Sequence, residues 1–372
     1  MGLKKMLVCY IIKREKERNN NMKKINVAVI GCGTIAKSAH IPSYLNNEQV
    51  NIKYFCDIIP ERADEQVTLH GGTAVYDYKE ILNDPELDAV SVCTPNDVHP
   101  TISIDFLKAG KHVLCEKPAA KTLAQVHEMQ AIAHETGKIL NIGVVNRFNG
   151  AVNKIKEIIQ AGTLGEVYHV YISFRAVRSI PGLGGMFTTK AIAGGGVLID
   201  WGVHYLDLVM YCLDDPKPKT VSGQTYSKLG TDMRGYVYEN MWAGPPDYNG
   251  TYDVEEMVTG FVRTEGPTFT INGAWAQNIF VSETYIDFIG TKGGIRLNYG
   301  GDFSLFTVTN GKMLTEKPEF DKANMFQNEI DEFIKAIQSG EHIRSYIDKA
   351  EITASIMQGI YDSAEQGREI VF

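Results

Sequence analysis

At 372 residues the chain exceeds what one ordinary hydrophobic core supports and fits two domains. Its 44% apolar and 22% charged content, with 13 prolines, excludes a fibrous or fully disordered chain. A net charge of −8 leaves no basic surface for nucleic acid, whose binding depends on Lys and Arg neutralising phosphates.

The first 22 residues stand apart from the rest. Met6 to Ile12 (MLVCYII) is too short to cross a bilayer, and KREKERNNN follows it where a signal peptide carries small residues. No Ser or Thr suits myristoylation. We read residues 1–22 as a disordered extension, with Met22 as an alternative start. From Lys24, strands and helices alternate. INVAVIG (25–31) is a buried strand ending on glycine, followed by a helix-compatible stretch. VNIKYFCD (50–57) is a second strand, ending on an acid. PERADEQVTLHG (60–71) reads as a helix closed by Gly71, then come TAVY and a short helix to Leu82. DAVSVCTP (88–95) is a strand stopped by proline, HPTISIDFLKAG (99–110) a helix, and KHVLCEKP (111–118) another strand. A helix spans 122–134, with Thr122 and Gln125 spaced as a capping box. KILNIGVVNRF (138–148) reads as the last strand of the series.

Such alternation means βαβ units and a parallel sheet, because parallel strands need a crossover. The remainder differs. After a helix at 152–160 come long alternating runs, among them 166–177, 268–278 and 283–291. They suit an antiparallel sheet with one face covered. Helices near 325–338 and 346–366 finish the chain. The fold class is therefore an α/β domain with a doubly wound parallel sheet (23–147), then an α+β domain with a large, mostly antiparallel open sheet (148–372). Six scattered cysteines show no CxxC pair and no zinc spacing, so we expect no metal. They read as buried reduced thiols in a cytoplasmic protein.

Gly31-Cys32-Gly33-Thr34-Ile35-Ala36 is G-x-G-x-x-A between a strand and a helix. Gly31 permits the tight turn, and Gly33 lets backbone amides approach a pyrophosphate. Ala36 allows close helix–strand packing, and Thr34 and Ile35 open a helix whose free N–H groups face the phosphates. Asp57 ends the second strand, where a carboxylate accepts from ribose hydroxyls and repels a 2′-phosphate. The pair predicts NAD over NADP. Thr94, Pro95, Asn96 and His99 lie at another strand's carboxyl edge and suit the nicotinamide side, although Asn96 also reads as a cap. Glu116-Lys117-Pro118 sits on the same edge. An ammonium there holds a substrate hydroxyl, and a plain Lys-Pro surface turn is the alternative. In GGGVLIDWGVHYLDL (194–208), Asp200 and His204 are four apart and share a helix face. A carboxylate beside an imidazole orients it and raises its basicity. The three glycines let the backbone approach a cofactor or substrate closely.

Together these segments resemble the Gfo/Idh/MocA oxidoreductases, named for glucose–fructose oxidoreductase and inositol dehydrogenase. The resemblance runs from Met22 to Phe372, including the ending SAEQGREIVF. It implies a Rossmann domain and an α+β domain whose open sheet pairs copies into homodimers or homotetramers. It also implies that Lys117 is the catalytic lysine and that Asp200 and His204 are the acid–base pair, with His204 the general base. Asn146 and Arg147 match a loop near cofactor and substrate. Arg175 and Arg178 precede the SIPGLGGMF loop. Residues 229–252 form an insertion with Tyr236, Tyr238, Trp242, Tyr248 and Tyr252, suited to stacking on a sugar or aglycone, or to covering a sheet edge. The expected reaction moves hydride from a secondary carbinol to nicotinamide, the substrate being a sugar, a glycoside oxidised at C3, or a polyol. An inositol 2-dehydrogenase, an NAD-retaining glycosidase and a non-catalytic sensor stay open, as does whether NAD leaves between turnovers.

Overall fold

The computed structural model describes residues 24–372, so the reading of residues 1–22, and Cys9 within it, lies outside the described residues. Six strands form a wholly parallel sheet: β1 (Ile25–Ile30), β2 (Val50–Cys56), β3 (Thr73–Val75), β4 (Ala89–Val92), β5 (His112–Glu116) and β6 (Leu140–Gly143). Their order is β3-β2-β1-β4-β5-β6. The central strands are apolar on both faces because helices cover both. These are α1 (Ile41–Leu45), reached through a π-helical turn at Ala36–His40, α2 (Pro60–His70), α3 (His99–Lys108) and α4 (Leu123–Thr136). Thr122 caps α4 by accepting from the Gln125 N–H at 3.3 Å, and Gly137 ends it at φ 62°. Strand order reverses between β1 and β4, the switch point where sheets of this kind hold ligands.

The last parallel strand is shorter than the pattern predicts. β6 stops at Gly143, and Val145–Phe148 form a 3-10 turn instead of extending it. Polar demand explains the stop, because Asn146 and Arg147 bond groups in the second half of the chain. Asn149 then caps α5 (Gly150–Gln160), accepting from Ala151 N at 2.9 Å and Val152 N at 3.3 Å.

Nine strands build the second sheet: β7 (Val167–Arg175), β8 (Pro218–Tyr226), β9 (Met257–Thr264), β10 (Thr268–Ala274), β11 (Glu283–Gly290), β12 (Gly293–Asn298), β13 (Phe303–Thr309), β14 (Lys312–Glu316) and β15 (Ile370–Val371). Their order is β14-β13-β12-β11-β7-β10-β9-β8-β15, and every pairing is antiparallel except β7–β10. Helices α6 (Lys190–Ala193) and α7 (Val203–Cys212) follow β7. Val170, Ile172 and Phe174 alternate inward against α7, which is apolar on nearly all sides because it is enclosed. The last helices, α8 (Met325–Ser339) and α9 (Ile347–Gln366), return to the parallel sheet: Ile330, Phe333 and Ile334 join the core beside β1, and Ile347 and Ala350 join the core behind β5 and β6. Cys32, Cys56, Cys93, Cys115 and Cys212 are buried free thiols. No helix among the described residues is long and apolar enough to cross a membrane.

Candidate active site

The carboxyl edge of the parallel sheet is shaped for a dinucleotide. Gly31 takes φ +91°, and a Cβ there would lie 2.6 Å from the Cys93 carbonyl oxygen, so only glycine lets β1 turn beside β4. Nothing lies within 4 Å of where a Gly33 Cβ would point, which leaves room for a phosphate over the exposed Thr34 and the helix start. Asp57 is 7% exposed and accepts from Cys32 N at 2.8 Å and Ile59 N at 2.9 Å. These bonds hold the carboxylate rigidly beside the turn and leave it lone pairs for a ribose. Thr94 Oγ1 is buried at the same edge with no hydrogen-bond partner among the described residues, a group that a nicotinamide-side polar atom would satisfy. The turn, the space over Gly33 and the orphaned hydroxyl fit a nicotinamide dinucleotide.

Lys117, at the end of β5, reaches across to the second half of the chain. Its Nζ lies 3.4 Å from both Asp200 Oδ1 and the Asp200 carbonyl oxygen. Asp200 Oδ2 is buried and unpartnered among the described residues. Burial and the Lys117 charge hold the His204 imidazole well below its usual value, so it stays neutral at pH 7. Lys117, Asp200 and His204 are thus brought together, with one revision. The expectation of an Asp200–His204 contact is replaced by Asp200–Lys117, and residues 198–202 are π-helical rather than α-helical. Beneath them, Glu116 Oε1 meets His40 Nε2 at 2.8 Å, and His40 Nδ1 meets Ser91 Oγ at 3.1 Å. Glu116 Oε2 accepts from Lys117 N at 3.1 Å. Glu116 therefore holds the backbone at Lys117, with its oxygens already engaged by protein groups.

Several expected ligands are occupied elsewhere. Arg147 is 1% exposed: Nε and Nη2 donate to Asp207 at 2.8 and 2.9 Å, Nη2 to Asp215 at 3.1 Å, and Nη1 to the Arg344 carbonyl at 2.9 Å. Four of its five N–H donors are so engaged and the side chain is enclosed, so Arg147 joins parts of the chain and does not reach a cofactor or substrate as expected. His99 is likewise spent, its two ring nitrogens lying 2.8 Å from the carbonyls of Pro118 and Thr94. It ties together the loops after β4 and β5. Asn96 caps no helix; its amide donates to the Ala193 carbonyl at 2.9 Å, joining the two halves of the chain. Pro95 lies exposed beside it. Arg175 is engaged in part: Nη2 pairs with Glu283, while the buried Nε has no partner among the described residues. The three glycines serve the chain's own packing rather than a ligand. A Cβ on Gly194 would strike the Lys121 side chain, one on Gly195 the Tyr361 hydroxyl at 2.1 Å, and one on Gly196 the Glu255 carbonyl oxygen at 1.9 Å.

The structure also brings in Tyr205 and Tyr299, which the sequence reading did not single out. Asn146 Nδ2 donates to Tyr299 Oη at 3.0 Å, and Tyr299 stacks on Tyr205 with ring centroids 4.0 Å apart. Asp200 lies close enough to raise the Tyr299 hydroxyl further, after burial, which is the larger cause. Tyr299 follows β12 and carries no local signal of function. The insertion is anchored by the Tyr252 hydroxyl on Glu256 at 3.1 Å. Trp242 lies edge-on to Phe187, with ring centroids 4.7 Å apart, and stays 54% exposed.

The family model of an oxidoreductase family with an NAD-binding Rossmann fold matches residues 25–144, and that of the GFO/IDH/MocA C-terminal domain matches residues 152–296. The chain is 30% identical over 352 residues to D-glucoside 3-dehydrogenase of Escherichia coli, covering 93% of this chain and 97% of the relative. It is 27% identical to levoglucosan dehydrogenase of Pseudarthrobacter phenanthrenivorans over 75% of this chain and 74% of that one. A solved levoglucosan dehydrogenase in complex with NADH and levoglucosan matches with TM-score 0.80. That match covers 94% of this chain and 99% of the other at 20% identity, which carries the fold alone.

Proposed function

The chain belongs to the Gfo/Idh/MocA family of oxidoreductases, which act on sugar hydroxyls with NAD, and from that premise we propose that it oxidises a secondary hydroxyl of a glucoside at C3. The observation that carries this is the meeting of Lys117, Asp200 and a neutral His204 at the carboxyl edge beside the Gly31–Gly33 turn. Lys117 holds the reacting hydroxyl oxygen and favours its negative charge as the proton leaves. His204, uncharged at neutral pH, takes that proton. Asp200 orients Lys117 through Oδ1 and keeps Oδ2 for a neighbouring sugar hydroxyl. NAD, when bound, accepts the hydrogen and electron pair that leave the carbinol carbon. Residues Gly31 to Ile35, Asp57 and Thr94 would hold it, with Glu116 and Asn146 supporting the edge from below. The Asp57 carboxylate supports NAD over NADP, since a 2′-phosphate would meet a second negative charge. The similarity to D-glucoside 3-dehydrogenase supports the choice of glucoside and carbon. The aromatic insertion supports an aglycone beyond the sugar.

The test is incubation of the purified protein with NAD and a panel of glucosides, free sugars, levoglucosan and myo-inositol. NADH formation fastest with glucosides, with a 3-keto product, is the expected outcome. Faster oxidation of myo-inositol would replace the glucoside reading. Aglycone release without net NADH would replace the dehydrogenase with an NAD-retaining glycosidase. If the purified protein already carries dinucleotide, a second acceptor sugar is added to complete the cycle.

A further inference from the structure

The segment bearing Asp200 and His204 begins with no side-chain cap of its own. A helix start leaves several N–H groups unpaired, and when buried they need partners. Here one residue from a distant part of the chain takes them. Glu255 Oε2 accepts from Gly196 N at 2.9 Å, Oε1 accepts from Leu198 N at 3.1 Å, and the Glu255 backbone oxygen accepts from Val197 N at 3.1 Å. Tyr361, from α9, donates to Oε1 at 2.8 Å. Glu255 is 6% exposed, and its chain runs so close that Gly196 can carry no side chain. Its negative charge also sits at the positive end of the helical segment.

We propose that Glu255 is a positioning residue for the reaction, setting the register of residues 196–204 and thereby placing Asp200 and His204 against Lys117. Asp200 N bonds the Gly196 carbonyl at 3.0 Å, so a displacement at the capped end passes through one helical turn to the Lys117–Asp200 contact. The adjacent Glu256 takes the N–H groups of Lys228, Leu229 and Gly230 at the foot of the insertion. The dipeptide therefore ties the reactive helix and the insertion to one short stretch of chain. The kinetic consequence rests on the function proposed above; the register itself does not.

Glu255→Gln keeps the shape but offers one good acceptor where two N–H groups need one. Tyr361→Phe removes only the supporting donor. For both, kcat, sugar KM, NAD affinity, the pH profile of kcat/KM and amide hydrogen exchange of residues 196–204 without NAD are measured. Glu255→Gln is expected to lower kcat by about 10- to 100-fold, the scale of a misplaced catalytic group, with KM and NAD affinity within about threefold. Exchange at 196–204 should quicken, the acid limb of the profile should move, and Tyr361→Phe should shift kcat in the same direction by less. An unchanged kcat and pH profile with only a lower Tm would overturn the proposal. So would a kcat loss matched by an equal loss of NAD affinity. If Glu255→Gln does not fold, Tyr361→Phe decides: lower kcat at constant KM supports the role, and unchanged kcat removes it. If the wild type makes no NADH from any sugar, the functional reading fails alone. Exchange then still judges Glu255: quickening confined to 196–204 supports it, and no change overturns it.

Discussion

Lys117 and Arg147 are both cations at the seam between the two sheets, and their surroundings assign them opposite work. The Lys117 side chain is 20% exposed and meets Asp200 at the site. Lys117→Ala is expected to leave the fold and NAD affinity intact and to lower kcat by about 10²-fold or more, the scale of a lost acid–base group. Turnover assays beside NAD titration check this, and unchanged turnover would remove Lys117 from the mechanism. Arg147 is enclosed with Asp207, both 1% exposed. Arg147→Met strands a buried carboxylate and is expected to cost about 3–5 kcal/mol in denaturant unfolding. A loss below about 1 kcal/mol, typical of an exposed pair, would contradict this placement. His204 supplies a pH dependence with a definite sign. Its folded-state value lies below the ordinary 6.5, so the neutral base persists as pH falls through 6.5. The acid limb of kcat/KM should lie below pH 6.5, and folding stability falls as pH drops from 6.5 toward the lower folded value, because there only the unfolded chain protonates His204. An acid limb above 6.5 that disappears in His204→Asn would contradict the assignment.

At the scale of elements, the strand–turn–helix at 25–45 was readable because each local requirement is written in residue types. Gly31 is needed for φ +91° and for the approach to Cys93. Gly31→Ala is therefore expected to weaken NAD binding at least tenfold, since the left-handed backbone alone costs about 1–2 kcal/mol before the clash with Cys93. Calorimetric titration reads the outcome, and wild-type affinity in Gly31→Ala would sink the cofactor site. The end of β6 was not readable. VVNRF alternates well enough to continue a strand, yet Asn146 and Arg147 answer to partners at 299, 207 and 215. The GGG run was legible as a place of close approach. What approaches it was not, because Lys121, Tyr361 and Glu255 come from three stretches far apart in the chain.

For the whole molecule, the nine-stranded sheet is covered on one face only. Tyr171 is 47% exposed and Phe306 44%, on the face opposite the buried Ile172 and Phe174, and Phe261 lies on the same face two strands from Tyr171. We expect copies of the chain to pair across this face. Light scattering should then give an oligomer for the wild type and a monomer for Tyr171→Glu with Phe261→Glu; a monomeric wild type, or a variant with unchanged mass, would exclude this face. What the sequence determined by itself was the order of elements, the dinucleotide turn and the candidacy of Lys117, Asp200 and His204, because periodicity, turn chemistry and motif spacing are local. Tertiary structure alone decided which side chains remain free to act. Asp200 turns to Lys117, Arg147 and His99 are consumed by partners, and Glu255 holds the start of the reactive helix. Each of those outcomes depends on a competition for hydrogen bonds among groups far apart in the chain, and only the folded packing brings the competitors together.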